Sequence, residues 1–142
     1  MIEYFDIDNL NKGAYCVGTF SQHIIDLVNI NHQETDILFS KDKIEYTIKH
    51  IKEYDDNSEY KILVEHTPDI ILHPDYLGLH PTGQSIEFIK FMSKIMVVAI
   101  RLKPHGVLWV KTVFPITQDK FNLYESSGSL INFKNSWQFW RM

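Results

Sequence analysis

Cysteine is almost missing from this chain: Cys16 stands alone among 142 residues, so no disulfide can close within it. Flanked by apolar neighbours in AYCVGTF, that thiol reads as a small core residue. A reactive thiolate would need a histidine partner that the sequence does not set beside it. Positive charge is also short. With 14 Lys and Arg against 18 Asp and Glu the net charge is −4, so the basic stripe of a sequence-independent nucleic-acid binder is absent. Any contact with phosphate must come from a local patch. No apolar run approaches the roughly 18 residues of a membrane span, and no basic start leads into an apolar stretch. The expected setting is a cytoplasm, of the producing cell or of a target cell, with no membrane partner.

Motifs for metal and phosphate are missing too. The seven histidines make no HExxH pair and no close His/Cys cluster. His66, His73 and His80 are evenly spaced, but Pro68, Pro74 and a switch from helix to strand deny them a common face. Gly78 and Gly83 flank no GxxxxGK loop, and no GxSxG elbow occurs. Neither a metal nor any other cofactor is expected.

What is present describes one globular domain over residues 1–142, with 44% hydrophobic and 23% charged residues. AYCVGTF (14–20) and DILFS (36–40) read as short strands. Ser21 stands ready to cap a helix with Ile24, Ile25 and Val28 on one stripe, and Ser40 a second helix with Ile44, Ile48 and Ile51. On that second helix Tyr46 and His50 are four apart and share a face. The stretch 57–76 begins as helix, which Pro68 breaks and Pro74 closes.

From Asp75 the period becomes two. YLGLHP, SIEFIKF, IMVVAIRL and VLWVKTVF are four strands joined by short turns, a tight one at Met92-Ser93 and another at Pro104-His105-Gly106. TQDKFNLYES follows as a closing helix, and LINFKNSWQFW as an apolar tail whose Phe133, Trp137, Phe139 and Trp140 should pack on the body. The fold class is α+β: N-terminal helices on one face of a four-stranded antiparallel meander, the other face available.

Basic residues inside apolar strands carry the chemical question. Lys90, Arg101 and Lys111 come from three successive strands, and Thr112 adds a hydroxyl. Arg, Lys and His together suit metal-free phosphodiester transfer, since cations balance the charge on the pentacoordinate phosphate and His moves protons near neutrality. The plainer alternative is a set of solvated side chains on an open sheet face. A two-residue loop at Met92-Ser93 would set Lys90 opposite Ile95, on the same face as Arg101. Whether Lys111 or Thr112 joins Arg101 depends on one residue of slack at the next turn. His105 reads as an exposed turn residue, and His50 could simply complement a helix dipole.

The ordered set VGTFSQHIIDLVNI, DILFSKDKIEYTIKHIKEY, TPDIILHPDYLGLHPTGQSIEFIKFM, IMVVAIRLKPHGVLWVKTVFPIT and SSGSLI resembles the phage- and mobile-element-associated nucleases of the Barnase–EndoU–Colicin–RelE superfamily. The similarity covers roughly residues 15–132; PDIILHPDYLGLHP with SIEFIK, and the AIR…VKT hairpin, are its most specific parts. It implies helices followed by a four-stranded antiparallel sheet, and metal-independent RNA cleavage that leaves a 2′,3′-cyclic phosphate. Toxin or effector use is implied as well. His50 then matches the helix histidine, a general acid or base, while Arg101, Lys111 and Thr112 match phosphate contacts. Lys90 and His80 match further family positions, His80 as a second proton-transfer group. Ser126 or Ser127 is expected to close the site from the C-terminal turn. Lys90, His80, Tyr46 and Ser127 are the substrate-binding candidates. Tyr46 occupies a place where relatives often carry a second histidine, and Phe114 one where many carry tyrosine. An acidic inhibitor or immunity protein is the partner such an enzyme implies, besides its RNA. The alternative is an inactive nuclease fold used as a protein-binding module, with Trp137, Phe139 and Trp140 carrying the interface.

Overall fold

The computed structural model describes residues 1–133. Along the chain run β1 (Ala14–Phe20), α1 (Gln22–Val28), β2 (Thr35–Ser40), α2 (Lys41–Tyr46) and a 3₁₀ segment (Thr47–Glu53). Then come α3 (Asn57–Glu65), α4 (Thr67–Leu72), β3 (Tyr76–Leu79), β4 (Ser85–Phe91) and β5 (Ile95–Arg101). β6 (Leu108–Ile116), α5 (Gln118–Ser126) and β7 (Leu130–Asn132) complete it. Side-chain caps fix the helix starts. Ser21 Oγ accepts from the Ile24 amide at 3.3 Å, Ser40 Oγ from Lys43 at 3.2 Å, and Thr117 Oγ1 from Lys120 at 3.2 Å. Pro68 lies in the first turn of α4, where its missing N–H costs nothing, and α3 stops just before it.

The α+β class holds, but the four-stranded antiparallel sheet is corrected. All seven strands join one mixed sheet in the order β1-β2-β6-β5-β4-β3-β7. β3 to β6 do form the expected antiparallel run. β2 adds to β6 in parallel through Ile37↔Leu108 and Leu38↔Trp109, β1 pairs antiparallel with β2, and β7 closes the other edge on β3. A parallel pair needs a long crossover, here everything from α2 to β5, so no local pattern announces it.

One face of the sheet holds the main core: Val17, Phe20, Ile37, Phe39, Phe88, Met96, Val98 and Ile100 meet Ile24, Ile25, Val64, Ile70 and Ile71 from the helices. β1 approaches α4 so closely that a Cβ on Gly18 would lie 2.6 Å from Ile71 Cγ2, a distance only glycine avoids. The second face is not simply open. α5 crosses one end of it, and Phe121 packs on Ile89, Val97 and Ile116, its ring 5.1 Å from Tyr76 and 4.9 Å from Phe91. Cys16 also belongs to this second face, half-buried beside Leu38, because Tyr15 and Val17 take the core positions of β1. Its reading as a core residue is corrected. No helix among the described residues is long and apolar enough to cross a membrane. The tail residues Trp137, Phe139 and Trp140 lie outside the described residues.

Candidate active site

Strand register decides which polar side chains share the second face. On β5 the alternation buries Met96, Val98 and Ile100 in the main core and turns Val97, Ala99 and Arg101 the other way. Across the sheet Ala99 pairs with Glu87 on β4 and Thr112 on β6, and Glu87 pairs with Gly78 on β3. A row Gly78–Glu87–Ala99–Thr112 therefore crosses the floor, with Glu87 and Thr112 roughly 10 Å apart over one small residue. The next row runs Ser85–Arg101–Trp109–Leu38–Cys16.

The alternatives for Lys111 and Thr112 are resolved by a bulge. Ala99 pairs with Thr112 but Ile100 pairs with Val110, so Lys111 is the extra residue. Val110 is buried in the core while Lys111 is exposed, and its charge reaches the Glu87 carboxylate. Basic residue and hydroxyl thus lie side by side at the bulge, neither of them in the main core. Arg101, Lys111 and Lys120 make no direct ion pair among the described residues.

Lys90 is corrected. The hairpin loop holds 92–94, closed by the Met92 amide on the Lys94 carbonyl at 2.9 Å, so Phe91 rather than Lys90 faces Ile95. That single step puts Lys90 opposite Met96, on the helix-covered face, where its ammonium donates to the His73 carbonyl at 2.8 Å. It cannot share a phosphate with Arg101.

His50 arrives from the 3₁₀ segment, which packs on the part of β6 that β2 leaves unpaired. Its ring stacks on Phe114 with centroids 5.7 Å apart, and Nδ1 faces Glu53. Only 22% of the side chain is exposed, so the ring is held in place between Phe114 and Glu53. His50 and Thr112 line one groove of 670 Å³ with Lys49, Glu53, Lys94, Thr117 and Lys120; Arg101 and Lys111 are not among its lining residues. Tyr46 does not line it either. The helix tightens from α to 3₁₀ at Thr47, so a four-residue step no longer returns to the same face. Tyr46 lies exposed with the Lys49 ammonium 4.4 Å from its ring centre.

At the other end of the floor His80, Glu87, Tyr124, Ser127 and Ser129 line a smaller recess of 230 Å³ beside Gly78. His80 Nδ1 accepts from the Thr82 amide at 3.3 Å, and Ser127 Oγ donates to the Tyr124 carbonyl at 2.6 Å. Lys120, on the wall formed by α5, sits 5.9 Å from the rings of both Phe114 and Tyr124 and links groove to recess. Glu87 is the residue that reading the sequence missed. Burial pushes its carboxyl above the usual range, against a pull from His80, Lys120 and Lys111. The available signal was the alternation of Ser85 and Glu87 with Ile86 and Phe88, which exposes one polar stripe of β4.

The family model described as phage-Barnase-EndoU-ColicinE5/D-RelE like nuclease 3 matches residues 16–122. The chain belongs to this nuclease family. The match spans β1 to the first half of α5, so His50, Glu87, Arg101, Lys111, Thr112 and Lys120 all lie inside it, while Ser127 lies beyond. No curated protein and no solved structure matches the chain.

Proposed function

We propose that this nuclease is a metal-independent endoribonuclease of toxin or effector type. The observation that carries the reading is the floor of the second face: Glu87 and Thr112 in one row, ringed by Arg101, Lys111 and Lys120, with His50 at one side and His80 at the other. A phosphodiester over Ala99 meets cations that balance the charge gained in the pentacoordinate state, the part a metal would otherwise play. Thr112 offers a hydroxyl donor to a phosphate oxygen.

Proton transfer follows from the two flanks. Glu87, ionised, accepts the proton of the ribose 2′-hydroxyl as its oxygen bonds to phosphorus. The bond to the 5′-oxygen breaks, and His50, oriented through Nδ1 by Glu53, gives that oxygen its proton from Nε2. The products are a 2′,3′-cyclic phosphate and a free 5′-hydroxyl. Such an enzyme in a cytoplasm calls for an inhibitor, and an acidic protein covering Arg101, Lys111 and Lys120 fits this face.

Incubation with total cellular RNA in EDTA tests the reading, beside His50→Ala, Arg101→Ala and Lys111→Ala variants, with the product ends assayed for cyclic phosphate. Wild type should cleave and the folded variants should lose cleavage. Folded wild type that cuts no RNA overturns the proposal and leaves the fold as a binding module.

A further inference from the structure

Trp109 has no role in the chemistry above, yet it stands in the row beside Arg101. Its neighbours along β6, Leu108 and Val110, are buried in the main core, so the indole lies on the second face, half-exposed. Across the strands it meets Arg101 on one side and Leu38 on the other. Leu38 and the half-buried Cys16 extend an apolar strip outward from it. Lys111 is two residues along the same strand, about 7 Å away. An aromatic ring on an apolar strip, bordered by an arginine and a lysine free of ion pairs among the described residues, is a surface for a planar group that carries an anion. Phe114 cannot offer the same, because His50 and Lys120 already occupy its surroundings.

We infer that Trp109 is a stacking platform for a nucleobase, and that the second face, at the end α5 does not cover, takes single-stranded nucleic acid. Stacking needs a base whose own face is uncovered, which a duplex denies and a loop or single strand provides. A base on Trp109 sets its phosphate toward Arg101 and Lys111, one nucleotide from the floor over Ala99. The inference rests on the nuclease reading of this face and adds the form of the substrate to it.

The chain holds three tryptophans, so Trp137→Phe/Trp140→Phe leaves Trp109 as the sole indole fluorophore. The probe is a short 2′-O-methyl single strand, which binds but lacks the attacking hydroxyl. Saturable quenching is expected with the single strand and none with the same strand annealed to its complement. Trp109→Ala in the otherwise native chain should weaken single-strand binding about 5- to 150-fold, and Trp109→Phe should retain most of it. Absence of quenching, or an alanine variant that binds like wild type, overturns the inference. Cleavage by wild type without quenching sinks it alone; quenching without cleavage of any RNA sustains it and sinks the nuclease reading instead.

Discussion

Glu87→Gln should make the protein more stable and less active at once. The carboxyl is half-buried on the sheet floor, and burial raises its pKa in the fold above the ordinary carboxylate range. Below that range it is protonated both folded and unfolded, and the pair of states is not affected. As pH rises from the ordinary value through the folded one, the unfolded chain releases the proton first, so the folded state loses stability relative to it. Glutamine does not titrate and keeps the shape of the protonated acid. The variant should therefore melt higher than wild type at pH 8 and alongside it at pH 4. Loss of a proton acceptor should lower cleavage by about 10²- to 10⁴-fold. The acidic limb of the wild-type rate profile, which reports ionisation of Glu87, should stand above the ordinary carboxylate range and vanish in the variant. Thermal melts at both pH values and initial cleavage rates across pH provide the check. A variant that cleaves like wild type, or whose melting advantage is the same at pH 4 and pH 8, refutes the reasoning.

Deleting Lys111 should close the bulge and leave Ile100↔Val110 and Ala99↔Thr112 in register, so the melting temperature should hold while cleavage falls about 10²-fold. Lys90→Ala should cleave within about twofold of wild type, since Lys90 faces the helix layer, whereas Arg101→Ala should lose about 10²-fold or more in the same rate assay. Gly18→Ala should cost about 1–3 kcal/mol in denaturant melts by driving Cβ into Ile71 Cγ2. Ile71→Leu removes that branch methyl, so the double variant should recover part of the loss, and strict additivity would refute the contact.

Much of the fold was legible because its signals are local. The serine caps, the break at Pro68 and the period-two runs of β3 to β6 each lie within a few residues, and each landed where the sequence put it. Assembly of the sheet was not legible. AYCVGTF and DILFS showed themselves as strands, but their place at the β6 edge rests on two pairs, Ile37↔Leu108 and Leu38↔Trp109, some 70 residues apart in sequence. β7 is a run of three half-buried residues in which no alternation can be seen.

The site failed or succeeded on single residues of register. Lys90 and Arg101 were read on one face by way of a two-residue hairpin, and the three-residue loop sets them on opposite faces. The third loop residue, Lys94, is engaged by Asp55 at 2.7 Å and Glu59 at 3.4 Å, so a tertiary ion pair helps fix a register that the hairpin sequence left open. Lys111 and Thr112 looked like alternatives because a regular strand must choose between them. The bulge lifts the choice by adding one residue at the point where the ladder passes Ala99, and a bulge in an antiparallel strand has no fixed sequence mark. Tyr46 and His50 parted for a related reason, a change of helical pitch at Thr47, whose Oγ1 bonds the Ile44 carbonyl at 2.6 Å and the buried Tyr60 hydroxyl at 2.8 Å. In each case the residue types were visible in the sequence, and at the hairpin and at Thr47 a contact with another element accompanies the geometry that the local sequence left open. Substitutions that remove those contacts without touching the floor, such as Asp55→Ala with Glu59→Ala, or Thr47→Val, should therefore disturb cleavage through the position of Arg101 or His50.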